Sequence, residues 1–228
     1  MRWSTTDSWA EGAAARVADA LAGALADGTR ASLVLAGGST PRPVYVRLAD
    51  AGGIAWGQVE IFFGDERCVP PGHADSNYRV AREALLDRLP TSPGRVCRIE
   101  GERRDRAAAA ADYAVVLPAE PSVLLLGIGS DGHTASLFPG SPALGERTRR
   151  VVSVTVPATQ PDRITITPPV LEEGREVFVL ARGKAKAEAV ARALEGPFDP
   201  DVCPAQLARH GTWLLDSEAA SLLGREPA

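Results

Sequence analysis

Val123-Leu124-Leu125-Leu126-Gly127-Ile128-Gly129-Ser130-Asp131-Gly132-His133 is a run of four uninterrupted apolar residues that breaks into a glycine-hinged loop. A strand with one wet face alternates apolar and polar side chains. An unbroken run suits a strand covered on both faces, as in a parallel sheet. The same device recurs on both sides of it. Ser32 to Ala36 (SLVLA) and Val59 to Phe63 read as strands, and so does Glu176 to Ala181. Between them lie helical patterns. Ser8 to Asp27 has apolar residues spaced near four and ends at Gly28, and Pro41 opens a second helix through Val44, Val46 and Leu48. Ser76 to Leu89, Arg104 to Leu117 and Lys184 to Leu194 read as further helices, Val151 to Val156, Ile164 to Thr167 and Trp213 to Leu215 as further strands, and Ser217 begins a last short helix. Strands alternating with helices of this length predict an α/β fold: a doubly wound, mostly parallel sheet with helices on both faces.

The chain has 228 residues, enough for one domain spanning 1–228, and 45% apolar with 24% charged residues is ordinary globular composition. A net charge of −4 provides no broad basic field, which argues against nucleic acid or an acidic membrane surface as partner. No apolar run approaches the roughly 18 residues of a spanning helix. The N-terminus lacks the basic flank and apolar core of a secretory leader. Cys68, Cys97 and Cys203 form no CxxC pair, so a reduced cytoplasmic protein is expected, a monomer or weak homo-oligomer. No HxxxH or HExxH pattern marks a metal site, and none is expected. His73 and His210 read as loop residues, and Cys68 reads as a buried thiol.

Five stretches carry chemistry. Gly37-Gly38-Ser39-Thr40-Pro41 joins a buried strand to a helix, where free N–H groups and the helix dipole suit an anion. The same residues also suit a plain turn in which Ser39 or Thr40 caps the helix. It is not a Walker loop, because no Gly-Lys-Ser/Thr follows. Gly64-Asp65-Glu66-Arg67 follows strand 59–63 directly, placing Asp65 and Arg67 on the rim where parallel sheets bind ligands, or else in a solvated charged turn. Residues 127–132 imitate the dinucleotide fingerprint G-x-G-x-x-G, but Pro139-Gly140 forbids the long helix that fingerprint needs. That loop offers Asp131 and His133, a pair suited to proton transfer near neutral pH, or else a loop histidine with a structural role. Arg163 stands at the entrance of the alternating run Ile164-Thr165-Ile166-Thr167, where by itself it reads most simply as a surface arginine. Finally, Lys184 and Lys186 are the only lysines of the chain, both beside a helix start, where cations are unfavourable unless an anion binds.

Together these stretches resemble the bacterial-type 6-phosphogluconolactonase family, which is related to the glucosamine-6-phosphate deaminases. The resemblance runs nearly end to end. It covers Gly37 to Pro41, Gly64-Asp65-Glu66-Arg67-Cys68-Val69-Pro70 with Ser76-Asn77, Gly127 to Gly140, and Arg163 to Thr167. It extends to Gly183-x-x-Lys186-Ala187 and Pro204-Ala205 with Trp213-Leu214-Leu215-Asp216. It implies hydrolysis of 6-phospho-D-glucono-1,5-lactone without a cofactor. By position it makes His133 the general base and Asp131 the group that orients it or touches the sugar. Gly38 would bind substrate, Asp65 and Arg67 would line the sugar pocket, and Ser39, Thr40, Arg163 and Lys186 would hold the phosphate.

Two other functions compete. A deaminase–isomerase of the sister family resembles the chain in the phosphate loop and the Asp-Gly-His turn. It carries a Met-Asp-Glu-Tyr type string in place of Gly64 to Arg67, and an acid five residues past the His, where this chain has Phe138. A non-enzymatic sugar-phosphate sensor would be expected to lose His133 or Asp131, or to add a DNA-binding helix pair.

Overall fold

In the computed structural model, which describes residues 2–5, 8–26, 28–156 and 160–224, the apolar run at 123–126 lies at the centre of a sheet. Seven strands make that sheet: β1 (Arg2–Thr5), β2 (Ala31–Leu35), β3 (Val59–Phe63), β5 (Arg95–Val96), β6 (Val123–Gly127), β9 (Glu176–Ala181) and β10 (Thr212–Leu215). Their order is β1-β10-β9-β6-β2-β3-β5, and every pairing is parallel. Val123 through Leu126 are buried, as are all five residues of β2, which fits strands covered on both faces.

Helices α1 (Trp9–Leu25), α2 (Arg42–Asp50), α3 (Asn77–Ala84), α4 (Arg106–Val116), α5 (Pro168–Glu173) and α6 (Ala187–Glu195) pack around the sheets. The spacing near four in the first helix is explained by its buried stripe of Trp9, Ala13, Val17 and Leu21. Trp9 also donates its indole N–H to Leu214 O at 2.9 Å. The helix stops where Gly28 takes φ +70° and donates to Leu25 O. Tyr113 on α4 accepts from Phe63 N at 2.7 Å and donates to Phe63 O at 2.9 Å, fixing the end of β3.

Two of the expected strands leave the main sheet. β7 (Val151–Val154) and β8 (Arg163–Ile166) join β4 (Asp65–Arg67) in a separate antiparallel sheet ordered β4-β8-β7. The segment between β7 and β8 is too short for the crossover that parallel pairing demands, so the two must run antiparallel. Gly64 makes the junction: its N–H donates to Leu35 O on β2, and its carbonyl accepts from Ile166 N on β8.

Three helix expectations also change. No α-helix begins at Ser217; hydrogen-bonded turns follow, with the Asp216 carboxylate accepting from Ala219 N at 2.8 Å. The helix expected from Lys184 starts at Ala187, after a tight 3-10 turn over Lys184–Lys186. The helix expected to Leu89 ends at Ala84, and a separate 3-10 turn covers Leu86–Arg88. No helix among the described residues is long and apolar enough to cross a membrane.

The strand order positions the site. From β2 the chain steps outward to β3 and β5; from β6 it steps the other way to β9 and β10. β2 and β6 are neighbours, so their carboxyl ends part at a topological switch point, where open α/β sheets bind ligands.

Candidate active site

A cleft of about 290 Å³ opens at that switch point. Gly38, Ser39, Thr40, Asp65, Arg67, His133, Arg163 and Lys186 all line it; Asp131 does not, and stands behind His133 instead.

The loop after β6 is folded tightly on itself. Gly129 N donates to His133 O at 2.8 Å, and Gly132 N donates to Gly129 O at 3.0 Å with Gly132 at φ +96°. A side chain at position 129 would place its Cβ 2.2 Å from His133 Nδ1, so only glycine lets the imidazole lie where it does. His133 Nδ1 and Asp131 Oδ1 are 2.6 Å apart, and Asp131 Oδ1 also accepts from His133 N at 3.1 Å. Burial pushes the Asp131 carboxyl up, but the facing imidazole and these hydrogen bonds more than reverse that, holding it below the usual carboxylate range. An ionised carboxylate only accepts, so Nδ1 is the donor and the imidazole lone pair lies on Nε2. The Phe138 ring sits 4.8 Å from the imidazole, centre to centre. Arg192 on α6 braces the loop through Asp131 O at 2.9 Å.

At the anion loop, Gly38 has φ +83° and Pro41 is the residue before α2. Neither Ser39 nor Thr40 caps the helix, contrary to the capping alternative, so neither hydroxyl is spent in that way.

β4 sorts its three side chains by the two-residue period of a strand. Asp65 and Arg67 face the cleft. Glu66 points away and is buried, accepting from Arg67 N, Asn77 N, Tyr78 N and Ser76 Oγ; burial pushes its carboxyl up. It ties β4 to the start of α3, where Ser76 caps Arg79 N at 3.2 Å. Asp65 is fixed by Ser136 Oγ at 2.6 Å. Arg163 pairs with Arg67 across the strands. It is 7% exposed and donates to Gln160 Oε1 at 3.2 Å and to Pro161 O. Burial, joined by the charge of Arg67, pushes its guanidinium below the usual arginine value. Lys186 is half-buried and lines the cleft, whereas Lys184 is exposed and does not. The turn carrying them is set by Gly183, at φ +88°, whose N–H donates to both carboxylate oxygens of Asp216 at 3.0 Å.

Ser136 and Gln160 carry no mark of function in the sequence, because their contacts to Asp65 and Arg163 are made only in the fold. Cys68 is half-buried rather than buried, although desolvation still pushes its thiol up. His73 and His210 lie in turns away from the cleft. Among the described residues, no group of three or more His, Cys, Asp or Glu side chains could hold a metal ion.

The profile of the family described as glucosamine-6-phosphate isomerases/6-phosphogluconolactonase matches residues 4–215. A 6-phosphogluconolactonase of Streptomyces coelicolor is 41% identical, over 95% of this chain and 91% of its own. One from Homo sapiens is 39% identical, over 92% and 86%. Among solved structures, a 6-phosphogluconolactonase from Leishmania guyanensis superposes with a TM-score of 0.83 at 30% identity, covering 98% of this chain and 99% of that one. A monomeric glucosamine-6-phosphate deaminase superposes with the same TM-score, 0.83, at 24% identity over 98% of this chain and all (100%) of that one, a likeness of fold alone.

Proposed function

Because the chain belongs to the family of glucosamine-6-phosphate isomerases and 6-phosphogluconolactonases, we propose that its cleft hydrolyses 6-phospho-D-glucono-1,5-lactone to 6-phospho-D-gluconate, the second step of the oxidative pentose phosphate pathway. The observation that carries this reading is the 2.6 Å pairing of His133 Nδ1 with Asp131, which frees Nε2 within a cleft whose other walls bear Ser39, Thr40, Arg163 and Lys186.

A lactone is an activated ester, so a positioned water, one base and an oxyanion donor suffice. Ser39, Thr40, Arg163 and Lys186 take the phosphate, and Asp65 and Arg67 take the sugar. Water oxygen bonds to the lactone carbonyl carbon as Nε2 of His133 takes its proton, and the carbonyl electron pair moves onto oxygen. The amides of Gly129, Gly132 and His133 all donate within their own loop. In this reading Arg67, which lines the cleft, supplies the oxyanion donor. Collapse of the tetrahedral adduct breaks the bond to the ring oxygen, which receives the proton back from Nε2, and the new carboxylic acid ionises into solvent. One domain carries all of this, since both sheets contribute to one cleft. Phe138, packed on His133, favours the lactonase over the deaminase: it supplies no carboxylate to tune the imidazole for ring opening.

The test is a coupled assay on freshly generated lactone, corrected for spontaneous hydrolysis with a no-enzyme control. Enzyme-dependent formation of 6-phosphogluconate is expected; a rate equal to the control refutes the reading.

A further inference from the structure

Asn77 is the first residue of α3, yet its side chain plays no part in starting that helix. Ser76 supplies the cap, and the backbone N–H of Asn77 goes to Glu66. The carboxamide, 3% exposed, instead spans three segments of the cleft. Its Nδ2 donates to Asp65 O and to Asp65 Oδ1, both at 2.9 Å. Its Oδ1 accepts from Arg67 Nη1 at 2.7 Å and from Gly38 N at 3.3 Å. Two donors and two acceptors exhaust what a carboxamide can offer. The acceptors lie on one side and the donors on the other, so a single orientation satisfies all four. A carboxylate would oppose Asp65, and a hydroxyl has one proton where two are needed. Gly37 is matched to it, because a Cβ there would lie 2.1 Å from Nδ2.

We propose that Asn77 is a positioning residue that holds the anion loop and the Asp65–Arg67 strand in one fixed relation, so that seating the phosphate sets the lactone carbonyl against Arg67 and His133. This rests on the lactonase reading above. The phosphate lies outside the reacting ester group, so binding energy spent on it helps the carbonyl only if the residues that hold the two groups are rigidly linked. Without Asn77, Gly38 and Arg67 lose their common partner.

The experiment compares Asn77→Ala with wild type on the phosphorylated lactone and on glucono-1,5-lactone. A misplacement on the scale of 1 Å costs about 100-fold in rate, so kcat on the phosphorylated lactone is expected to fall by about that factor, with KM changing less. The preference for the phosphorylated substrate is expected to shrink by about tenfold or more, whereas a merely structural defect lowers both substrates alike. Gly37→Ala, whose methyl displaces the amide while leaving α3 intact, is expected to show the same signature, and it serves if Asn77→Ala does not fold. The double variant is expected to be no worse than Asn77→Ala, since the methyl then fills vacated space. Amide and guanidinium resonances report on the link without catalysis: those of Gly38 and Arg67 are expected to shift together in Asn77→Ala. If wild type lacks lactonase activity, the functional reading falls, and these resonances alone decide whether Asn77 joins the two segments. A folded Asn77→Ala with a substrate preference within about threefold of wild type overturns the proposal. Unmoved Gly38 and Arg67 resonances overturn it as well.

Discussion

Arg67 and Arg163 face each other across the antiparallel pair of β4 and β8, two guanidinium groups on one wall of one cleft. Like charges directly opposite weaken a strand pair, by up to about 1 kcal/mol. Burial adds to the cost at Arg163, whose guanidinium is already pushed down. A phosphate held by Arg163 offsets this repulsion. Phosphate or 6-phosphogluconate is therefore expected to raise Tm, by an amount equivalent to about 2.7 kcal/mol at a hundredfold excess over Kd. Arg163→Gln is expected to be at least as stable as wild type without ligand, and to lose most of the ligand-induced rise. Thermal unfolding with and without 6-phosphogluconate checks this; an undiminished rise in the variant removes Arg163 from the anion site.

The two lysines make a sharper comparison, because only Lys186 lines the cleft. A charge-assisted contact is worth roughly 1.5–3 kcal/mol, or about 10- to 150-fold in affinity. Steady-state kinetics on the phosphorylated lactone are expected to show KM raised at least about tenfold by Lys186→Ala, and changed less than about threefold by Lys184→Ala. Lys186→Arg is expected to rescue only partly, since a guanidinium is larger and holds its donors in a plane. Equal losses from both alanine variants contradict the assignment.

The sequence made the central strands legible because their apolar runs record burial on both faces, as at Leu33 to Leu35 and Val123 to Leu126. Elements held by pairing alone left no such mark. Asp65-Glu66-Arg67 reads as a charged turn and becomes β4 only through β8. Arg2–Thr5 becomes β1 by adding to β10, and the two-residue β5 is too short to carry a pattern. Helix α5, which starts at Pro168-Pro169, is not expected from the sequence, although proline is at home in a first helical turn. At the site, His133 and the charged residues stand out by type and loop position, while the roles proposed for them come from the resemblance. Asn77 and Ser136 lie within the resembling stretches but are given no role, because a neutral side chain that joins distant segments has no local signature.

Asp131 ties the proposed catalysis to stability. Its carboxyl pKa is depressed in the folded protein, so the unfolded chain binds that proton more readily. The resulting stability is present above the usual carboxylate range and is lost as pH falls through the folded value. Asp131→Asn is expected to have a lower Tm than wild type at neutral pH, with the gap closing in acid. The gap is expected to be small, because the side chain is half exposed and solvent screens it. At neutral pH its kcat is expected to fall by about tenfold or more, through loss of a charge-assisted bond to His133. A gap that widens on acidification contradicts the account.

Phe138 occupies the wall beside His133 where a deaminase would carry a carboxylate. No enzyme-dependent ammonia is expected from glucosamine 6-phosphate. Release at a rate comparable to lactone hydrolysis would move the chain to the other branch of its family. Phe138→Glu is not expected to gain the activity, because Arg67 and the rest of β4 remain.

The most direct measurement is kcat and KM of His133→Ala on freshly generated 6-phosphogluconolactone, corrected for spontaneous hydrolysis and with folding verified by thermal unfolding. Removal of a positioned general base costs about 10²–10⁴ in rate, so kcat is expected to fall by that factor while KM stays nearly constant. A folded His133→Ala that keeps more than about a third of wild-type kcat shows that another group activates the water.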